Sequence, residues 1–116
     1  MMVVVQGTKD FKDYNVFLRA MGVALSNIKN EDHYFYIYSL GSKNINNFVF
    51  EFANLSERNL KARGKKIKYF TVPFEWVEEN KNSVDYFAYF YNPGEHVSKV
   101  TENMTQSGVE VGLFQY

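Results

Sequence analysis

The chain contains no cysteine and little histidine, and both absences exclude chemistry. Among its 116 residues there is no thiol, so disulfides, thiolate nucleophiles and cysteine-ligated zinc are all excluded. The two histidines, His33 and His96, are too few for a histidine-rich metal site. We therefore expect no metal site. A cysteine-free chain also fits a reducing compartment, and we expect a cytoplasmic location.

Excess charge and long apolar runs are missing as well. Thirteen cationic and thirteen acidic side chains cancel, so no overall basic field exists to hold nucleic acid or an anionic membrane surface. No window approaches the roughly 20 apolar residues of a membrane span, and the N-terminus has neither the basic region nor the cleavage site of a signal peptide. We expect neither a membrane nor a nucleic-acid partner.

What the chain does contain is apolar and aromatic material for one domain. Hydrophobic residues make up 46% of it, and aromatic residues 18%, with nine tyrosines and eleven phenylalanines. The length fits a single domain over residues 1–116. We expect the tyrosines on half-buried sheet and interface surfaces. The bias toward Phe, Tyr, Lys, Asn and Ile is typical of AT-rich genomes, such as those of many phages, in which case the location is the host cytoplasm.

The order of apolar patterns along the chain predicts alternating strands and helices. Short β-favouring runs predict strands over residues 3–6, 34–40, 66–72, 84–91 and 109–114. Apolar residues at helical spacing predict helices near residues 14–25, 45–62 and 97–104. The polar stretch at residues 77–83 has few apolar anchors, and we interpret it as a mobile loop. This order predicts an α/β fold of Rossmann-like type: a three-layer sandwich with a five-stranded, mostly parallel sheet and about three helices.

Three turns follow strands whose carboxyl ends are expected to lie at one edge of this sheet. Free backbone N–H groups and helix N-termini converge at such an edge, so phosphate-bearing ligands usually bind there. Lysines supply positive charge, and hydroxyl groups can donate to phosphate oxygens. The candidate ligand-binding residues in these turns are Gly7, Thr8, Lys9, Asp10, Gly41, Ser42, Lys43, Asn46, Pro93, Gly94 and Ser98.

A purely structural role is equally open for these residues. Each glycine can simply make a tight turn, and each hydroxyl or carboxylate can cap the next helix. Neither G-x-G-x-x-G nor the P-loop pattern is present. The basic cluster at residues 61–68 has two interpretations: a contact for nucleic acid, or a helix C-terminus whose cations complement the helix dipole, which we favour. We assign no catalytic residue, because His96 and Glu95 lie in a polar loop and Asp85 is a common strand-entry residue.

Three segments resemble motifs of the SLOG superfamily, the Rossmann-like proteins that include DNA-processing protein A and the Lonely-guy enzymes. Residues 7–11 (GTKDF) resemble the opening G-[ST]-R-[DE]-[FW] of its small YspA-like (DUF2493) branch. Residues 40–53 parallel that branch's G-G-A-x-G-A-D-x-L-A-x-x-W-A, and residues 72–76 resemble its f-P-A-[DE]-W. The resemblance implies a Rossmann-like fold and a nucleotide or nucleotide-derived ligand.

The departures from this pattern concern catalysis. Asn44 and Asn46 replace a glycine and an aspartate of the second motif. At residues 93–101 the Lonely-guy pattern P-G-G-x-G-T-x-x-E keeps its first Pro and Gly, but Thr101 stands where the catalytic Glu belongs. Glu102 comes one position late, and one position is about 100° of helix rotation. The sequence thus favours a protein without intact catalytic residues.

Three functions follow as hypotheses. The first is a small module that binds a nucleotide or another phosphate-bearing ligand without catalysis. The second is a ligand-free accessory factor, such as a phage protein, that binds a host or viral protein through aromatic anchors. The third is a residual hydrolase of N-glycosidic or phosphate bonds that uses Glu95, His96 or Glu102. We also expect a homo-oligomer, because short parallel sheets leave unpaired edges.

Overall fold

The apolar run at residues 3–5 forms the centre of the structure, a computed structural model that describes all of residues 1–116. Val3, Val4 and Val5 are each 0% exposed. A strand that is apolar at consecutive positions must bury both of its faces, and this requires helices on both sides of the sheet. The burial of both faces of this one strand therefore indicates a three-layer arrangement.

Five strands form one sheet in which every neighbouring pair is parallel. The order across the sheet is β3-β2-β1-β4-β5, so β3 and β5 are the edge strands. The strands are β1 (Met2–Gly7), β2 (Tyr34–Ser39), β3 (Lys66–Thr71), β4 (Tyr86–Tyr91) and β5 (Val111–Gln115).

Four helices connect these strands and cover both faces of the sheet. They are α1 (Tyr14–Leu25), α2 (Lys43–Ala62), α3 (Phe74–Asn80) and α4 (Lys99–Gln106). The steps from β1 to β2 and β3 run one way across the sheet, and the step from β3 to β4 reverses direction. Because parallel crossovers are right-handed, α1 and α2 lie on one face and α3 and α4 on the other. The Rossmann-like three-layer sandwich predicted from the sequence is confirmed, with a wholly parallel sheet and one helix more than expected.

The additional helix is α3, and the mobile loop predicted over residues 77–83 is wrong. Val77 is fully buried, and the Trp76 ring stacks on Tyr38 with centroids 4.2 Å apart. A 3₁₀ turn, Lys81–Ser83, completes the connection. At seven residues, α3 spans too few turns for its two apolar contacts to show a helical repeat in the sequence.

Each face of the sheet has its own hydrophobic cluster. The cluster under α1 and α2 is the larger one and holds a group of packed rings, in which Phe11 stacks on Phe90 at 4.5 Å. The cluster under α3 and α4 is centred on β1 and β4, with Val4, Phe87 and Met104 completely buried. None of the helices combines the length and apolar character that a membrane crossing requires.

Candidate functional site

The strand order places all three predicted turns at one edge of the sheet. β1, β2 and β4 are adjacent and parallel, so the turns that follow Gly7, Ser39 and Tyr91 leave from the same side. From β1 the chain moves toward β2 on one side of the sheet, and from β4 it moves toward β5 on the other. The helices α1 and α4 that follow these strands therefore lie on opposite faces, and the direction of the strand order reverses between β1 and β4. In open α/β sheets, ligands bind outside the carboxyl ends of the strands at such a reversal.

The first turn is tightly folded into the core. The Thr8 N–H donates to the Phe90 carbonyl at 3.0 Å, and the Phe11 N–H donates to the Thr8 carbonyl at 3.0 Å. This turn directs Phe11 inward, where it is 0% exposed. The Thr8 hydroxyl is hydrogen-bonded to the hydroxyl of Tyr116. Of the predicted residues in this turn, only Lys9 and Asp10 are exposed.

The second turn is held together by a chain of polar contacts. Ser39 Oγ donates to Asn46 Oδ1 at 2.6 Å and accepts from the Gly41 N–H at 3.1 Å. Gly41 has a φ of 90°, in the left-handed region that glycine adopts easily, and its peptide bond to Ser42 is cis. Asn46 therefore shapes the turn from inside, while Lys43 is exposed.

A side-chain contact joins the second turn to the first. Asn44 Nδ2 donates to the Phe11 carbonyl at 3.2 Å. Because Phe11 is anchored in the core, this bond fixes the start of α2 relative to the turn after β1. The two turns thus form one rigid unit.

The third turn is joined to β1 through Ser98. Its Oγ donates to Gln6 Oε1 at 2.6 Å and accepts from the Thr101 N–H at 3.1 Å. Pro93 and Gly94 are exposed, and Gly94 has a φ of 95°. Ser98 therefore acts as a helix cap and as a link across the strand reversal, with Pro93 and Gly94 at the tip of the turn.

Tyr89 is a buried residue beside this third turn. Burial raises the pKa of the Tyr89 hydroxyl above its ordinary value, and the nearby carboxylate of Glu95 raises this pKa further. A phenol is already protonated at neutral pH with its ordinary pKa, so Tyr89 contributes a neutral hydroxyl and not a charge to this turn.

The helices that follow the three turns, α1, α2 and α4, differ in what their first turns offer to an anion. In α1 the Asp13 carboxylate already accepts from the Val16 N–H at 3.2 Å, and in α4 the Ser98 hydroxyl has the equivalent role. In α2 the N-cap residue Ser42 makes no such bond, its buried Oγ has no partner, and no acidic residue lies in the first turn. The first bonded amide of α2 is that of Asn46, so the three amides before it have no protein acceptor.

No enclosed cavity joins the three turns. An open depression of about 460 Å³ lies beside the first turn, and its lining includes the carboxylates of Asp10 and Asp13, which repel phosphate. A second cavity of about 290 Å³ lies between α4 and β5 and contains Glu102 and Leu113. A ligand that touches all three turns would therefore lie across an open edge.

The residues considered for acid–base chemistry are not brought together. Thr101, at the place of the Lonely-guy carboxylate, is 3% exposed and bonded to Ser98. Glu102 belongs to the cavity on the β5 side, and Glu95 and His96 are exposed.

Gln6, Asn44 and Tyr89 help to build this edge and were not among the predicted site residues. Gln6 carried a recognisable signal, since it is a polar residue at the end of an otherwise apolar strand. Asn44 was considered only as a departure from the SLOG motif, and Tyr89 lies within an aromatic run where nothing distinguishes it. Their roles depend on long-range contacts that local patterns do not contain.

Comparison of the chain with protein-family models, with curated proteins and with solved structures found no match. The resemblance to the SLOG superfamily accordingly stays a prediction from residues 7–11, 40–53 and 72–76.

Proposed function

We propose that the chain binds a small phosphate-bearing ligand, such as a nucleotide, at the carboxyl edge of the sheet, with the phosphate at the start of α2. The observation that carries this proposal is the open first turn of α2, whose amides at Lys43, Asn44 and Ile45 have no acceptor. Such amides and the positive end of the helix dipole favour an anion. The resemblance to SLOG proteins implies the same ligand class.

The start of α2 suits phosphate better than the start of α1 or α4. The N-cap of α1 is itself a carboxylate, and α4 has its cap hydroxyl in place and Glu102 in its first turn. The first residue of α2 is Lys43, whose exposed ammonium adds positive charge at this helix start.

The rest of the ligand would extend from this point across the end of β1 toward the third turn. Gly41 lets the backbone come close, because no protein atom lies within 4 Å of the position that a Cβ would take there. Lys9 at the first turn and Gly94 at the third are exposed on either side of the path. This edge binds and orients a ligand, and no catalytic step is assigned to it.

The proposal is tested by titrating AMP, ADP, NAD and a cyclic dinucleotide, with inorganic phosphate and adenosine as separate arms. A ligand at 100 times its dissociation constant stabilises the fold by about 2.7 kcal/mol, which a thermal-unfolding assay detects. Phosphate-bearing compounds are expected to stabilise the protein, and adenosine is not. No stabilisation by any of them at millimolar concentration would contradict the proposal.

Lys43→Glu and Lys99→Glu form a matched pair, because each lysine is the first residue of its helix. Lys43→Glu should weaken binding about tenfold or more, since it places a carboxylate beside the open amides of α2. Lys99→Glu should leave the affinity within about twofold, because α4 is already capped. If calorimetric titrations show that both variants lose the same affinity, the phosphate does not bind at the start of α2.

A protein-interaction function is the second candidate, and exposed aromatic residues beside β3 favour it. Phe50 is 52% exposed and Tyr69 is 42% exposed, and their rings meet edge to face at 6.1 Å. Single exposed apolar residues are common, but aromatic residues grouped beside an unpaired sheet edge are typical of interfaces. A second copy of this chain is the simplest partner, in line with the expected homo-oligomer.

A further inference from the structure

The face of the sheet under α3 and α4 is only partly covered by helices. The hydrophobic cluster there is built from β1, β4 and the two helices, and it is joined by Tyr38 from the carboxyl half of β2 and by Val72, which directly follows β3. With seven residues, α3 is about 10 Å long, roughly half the length of a six-residue strand. Tyr34 and Tyr36 belong to neither cluster and are partly exposed.

The uncovered area has a regular arrangement of rings and ammonium groups. The rings of Tyr34, Tyr36 and Tyr38 follow one another with centroids 5.4 and 6.2 Å apart and planes within 14° and 27°. Strand pairing puts a β3 side chain beside each ring. We call this surface the tyrosine–lysine face, and its members are Tyr34, Tyr36, Lys66, Lys68 and Phe70.

The side chains of β3 on this face are available to a partner. Lys66 and Lys68 are exposed, and Phe70 is 46% exposed. Lys68 Nζ lies 5.4 Å from the centre of the Tyr34 ring, a cation–π distance. Rings and positive charge thus alternate over a strip two strands wide.

Charge is unevenly distributed along the sequence even though its sum is zero, and of the basic segment only Lys66 and Lys68 lie on the tyrosine–lysine face. Residues 58–68 carry six cations and no carboxylate, whereas residues 69–116 carry two cations and seven carboxylates. Lys65 is buried and its ammonium donates to the carbonyls of Lys29 and Asp32, so five of the six cations remain at the surface. A local positive field of this kind attracts polyanions regardless of net charge.

We propose that the tyrosine–lysine face binds single-stranded nucleic acid, with phosphates along Lys66 and Lys68 and bases against the aromatic rings. Proteins bind single strands through this combination of stacking rings and a basic track. A duplex keeps its bases stacked internally and could use only the lysines. The expectation that nucleic acid is not a partner was based on the net charge and on the interpretation of residues 61–68 as a helix C-terminus. That interpretation does not hold for Lys66 and Lys68, because α2 ends at Ala62 and both lysines lie in β3.

The first test measures fluorescence anisotropy of labelled oligo(rU) and oligo(dT) of about 12 nucleotides at low salt. The double variant Lys66→Glu/Lys68→Glu is compared with Arg19→Glu/Lys99→Glu, which changes the charge equally at exposed positions on α1 and α4. The first variant should lower the affinity by about tenfold or more and flatten its salt dependence, and the second should lower it much less. Binding of either oligonucleotide supports the proposal.

The second test separates stacking from charge with two exposed phenylalanines. Phe70 lies on the tyrosine–lysine face, and Phe50 lies on α2 at the opposite face of the sheet. Phe70→Ala should weaken oligonucleotide binding about tenfold, and Phe50→Ala should not. Circular dichroism and thermal unfolding of every variant establish that the fold is retained.

Several outcomes would overturn the proposal. The proposal is wrong if the natural chain does not bind oligonucleotide at low salt, or if the matched variants lose equal affinity. It is also wrong if a duplex binds as tightly as a single strand. If millimolar AMP or phosphate displaces the oligonucleotide, the oligonucleotide binds at the carboxyl edge of the sheet and not at the tyrosine–lysine face. A dimer that loses its stability in Phe70→Ala would show that a second copy occupies this face.

Discussion

Gly7 and Gly41 end neighbouring strands, yet they are glycines for different reasons. A Cβ on Gly7 would lie 3.0 Å from Ile45 Cδ1 and 3.3 Å from Phe11 Cδ2, so α2 and the first turn pack directly on its backbone. Gly41 has open space around it and a φ of 90°, so its backbone conformation is what requires glycine. The first glycine serves packing, and the second serves the backbone conformation of its turn.

Gly7→Ala should therefore destabilise the fold, and Gly22→Ala should do the opposite. An added methyl at position 7 forces Ile45 or Phe11 to shift, and such overpacking costs about 1–3 kcal/mol. Gly22 lies inside α1 with nothing within 4 Å of a Cβ, so alanine there should add about 0.5–1 kcal/mol through helix propensity. Urea unfolding measures both changes, and effects of the same sign would contradict the packing account.

Ser42, Ser98 and Asn46 illustrate how little residue type says about a role. Both serines precede helices, but only Ser98 makes a capping bond. Asn46 was predicted to contact ligand, and in the structure its side-chain oxygen accepts from Ser39. The sequence predicted that the three turns share one edge, whereas the hydrogen bonds of each polar side chain depend on the folded structure, as in the bond from Ser98 to Gln6.

Helices and strands with a long repeat were predictable, and α3 was not. α1 was located correctly and α2 to within about two residues at its start, because each places apolar residues on one face over three or more turns. α3 presents only Trp76 and Val77 to the sheet, between glutamates and asparagines. Its stability comes from the contact with β2 and the α4 region and not from its own pattern.

Val77→Ala is expected to lower the free energy of unfolding by about 2 kcal/mol, because it removes two buried methyl groups and leaves a cavity. Glu79→Ala, at an exposed position of the same helix, should change it by less than about 0.5 kcal/mol. Chemical denaturation tests this pair. Amide hydrogen exchange gives an independent measurement, since a mobile loop at residues 77–83 would exchange without protection.

Across the whole molecule, β3 is the edge most open to association. The Lys66 N–H donates to the His33 carbonyl and the Val72 N–H to the Ser39 carbonyl, each at 2.9 Å. Alternate residues between them face β2, which leaves the backbone groups of Ile67, Tyr69 and Thr71 pointing outward. The lysines on β3 oppose unspecific strand pairing. A partner that associates here must therefore hydrogen-bond to the open backbone groups and also pack against the exposed aromatic residues.

If the chain forms a dimer along β3, Phe50→Ser should weaken it and Leu55→Ser should not. Both side chains are exposed apolar residues of α2, at 52% and 66%, but only Phe50 contacts β3. Loss of an aromatic anchor at an interface typically raises the dissociation constant about 30-fold. Sedimentation velocity over a concentration series measures the association. If the protein is a monomer at every concentration, the prediction of a homo-oligomer is wrong.

From the amino-acid order alone follow the parallel sheet, its alternating helices and the three turns at one edge, because these depend on short-range periodicity and on the handedness of crossovers. Packing in three dimensions settled what local patterns cannot express. It left the first turn of α2 open while those of α1 and α4 are capped, and it brought Tyr34 and Tyr36 beside Lys66 and Lys68. Contacts between residues thirty or more positions apart have no local signature, and the tyrosine–lysine face and the bond from Asn44 to the Phe11 carbonyl consist of such contacts.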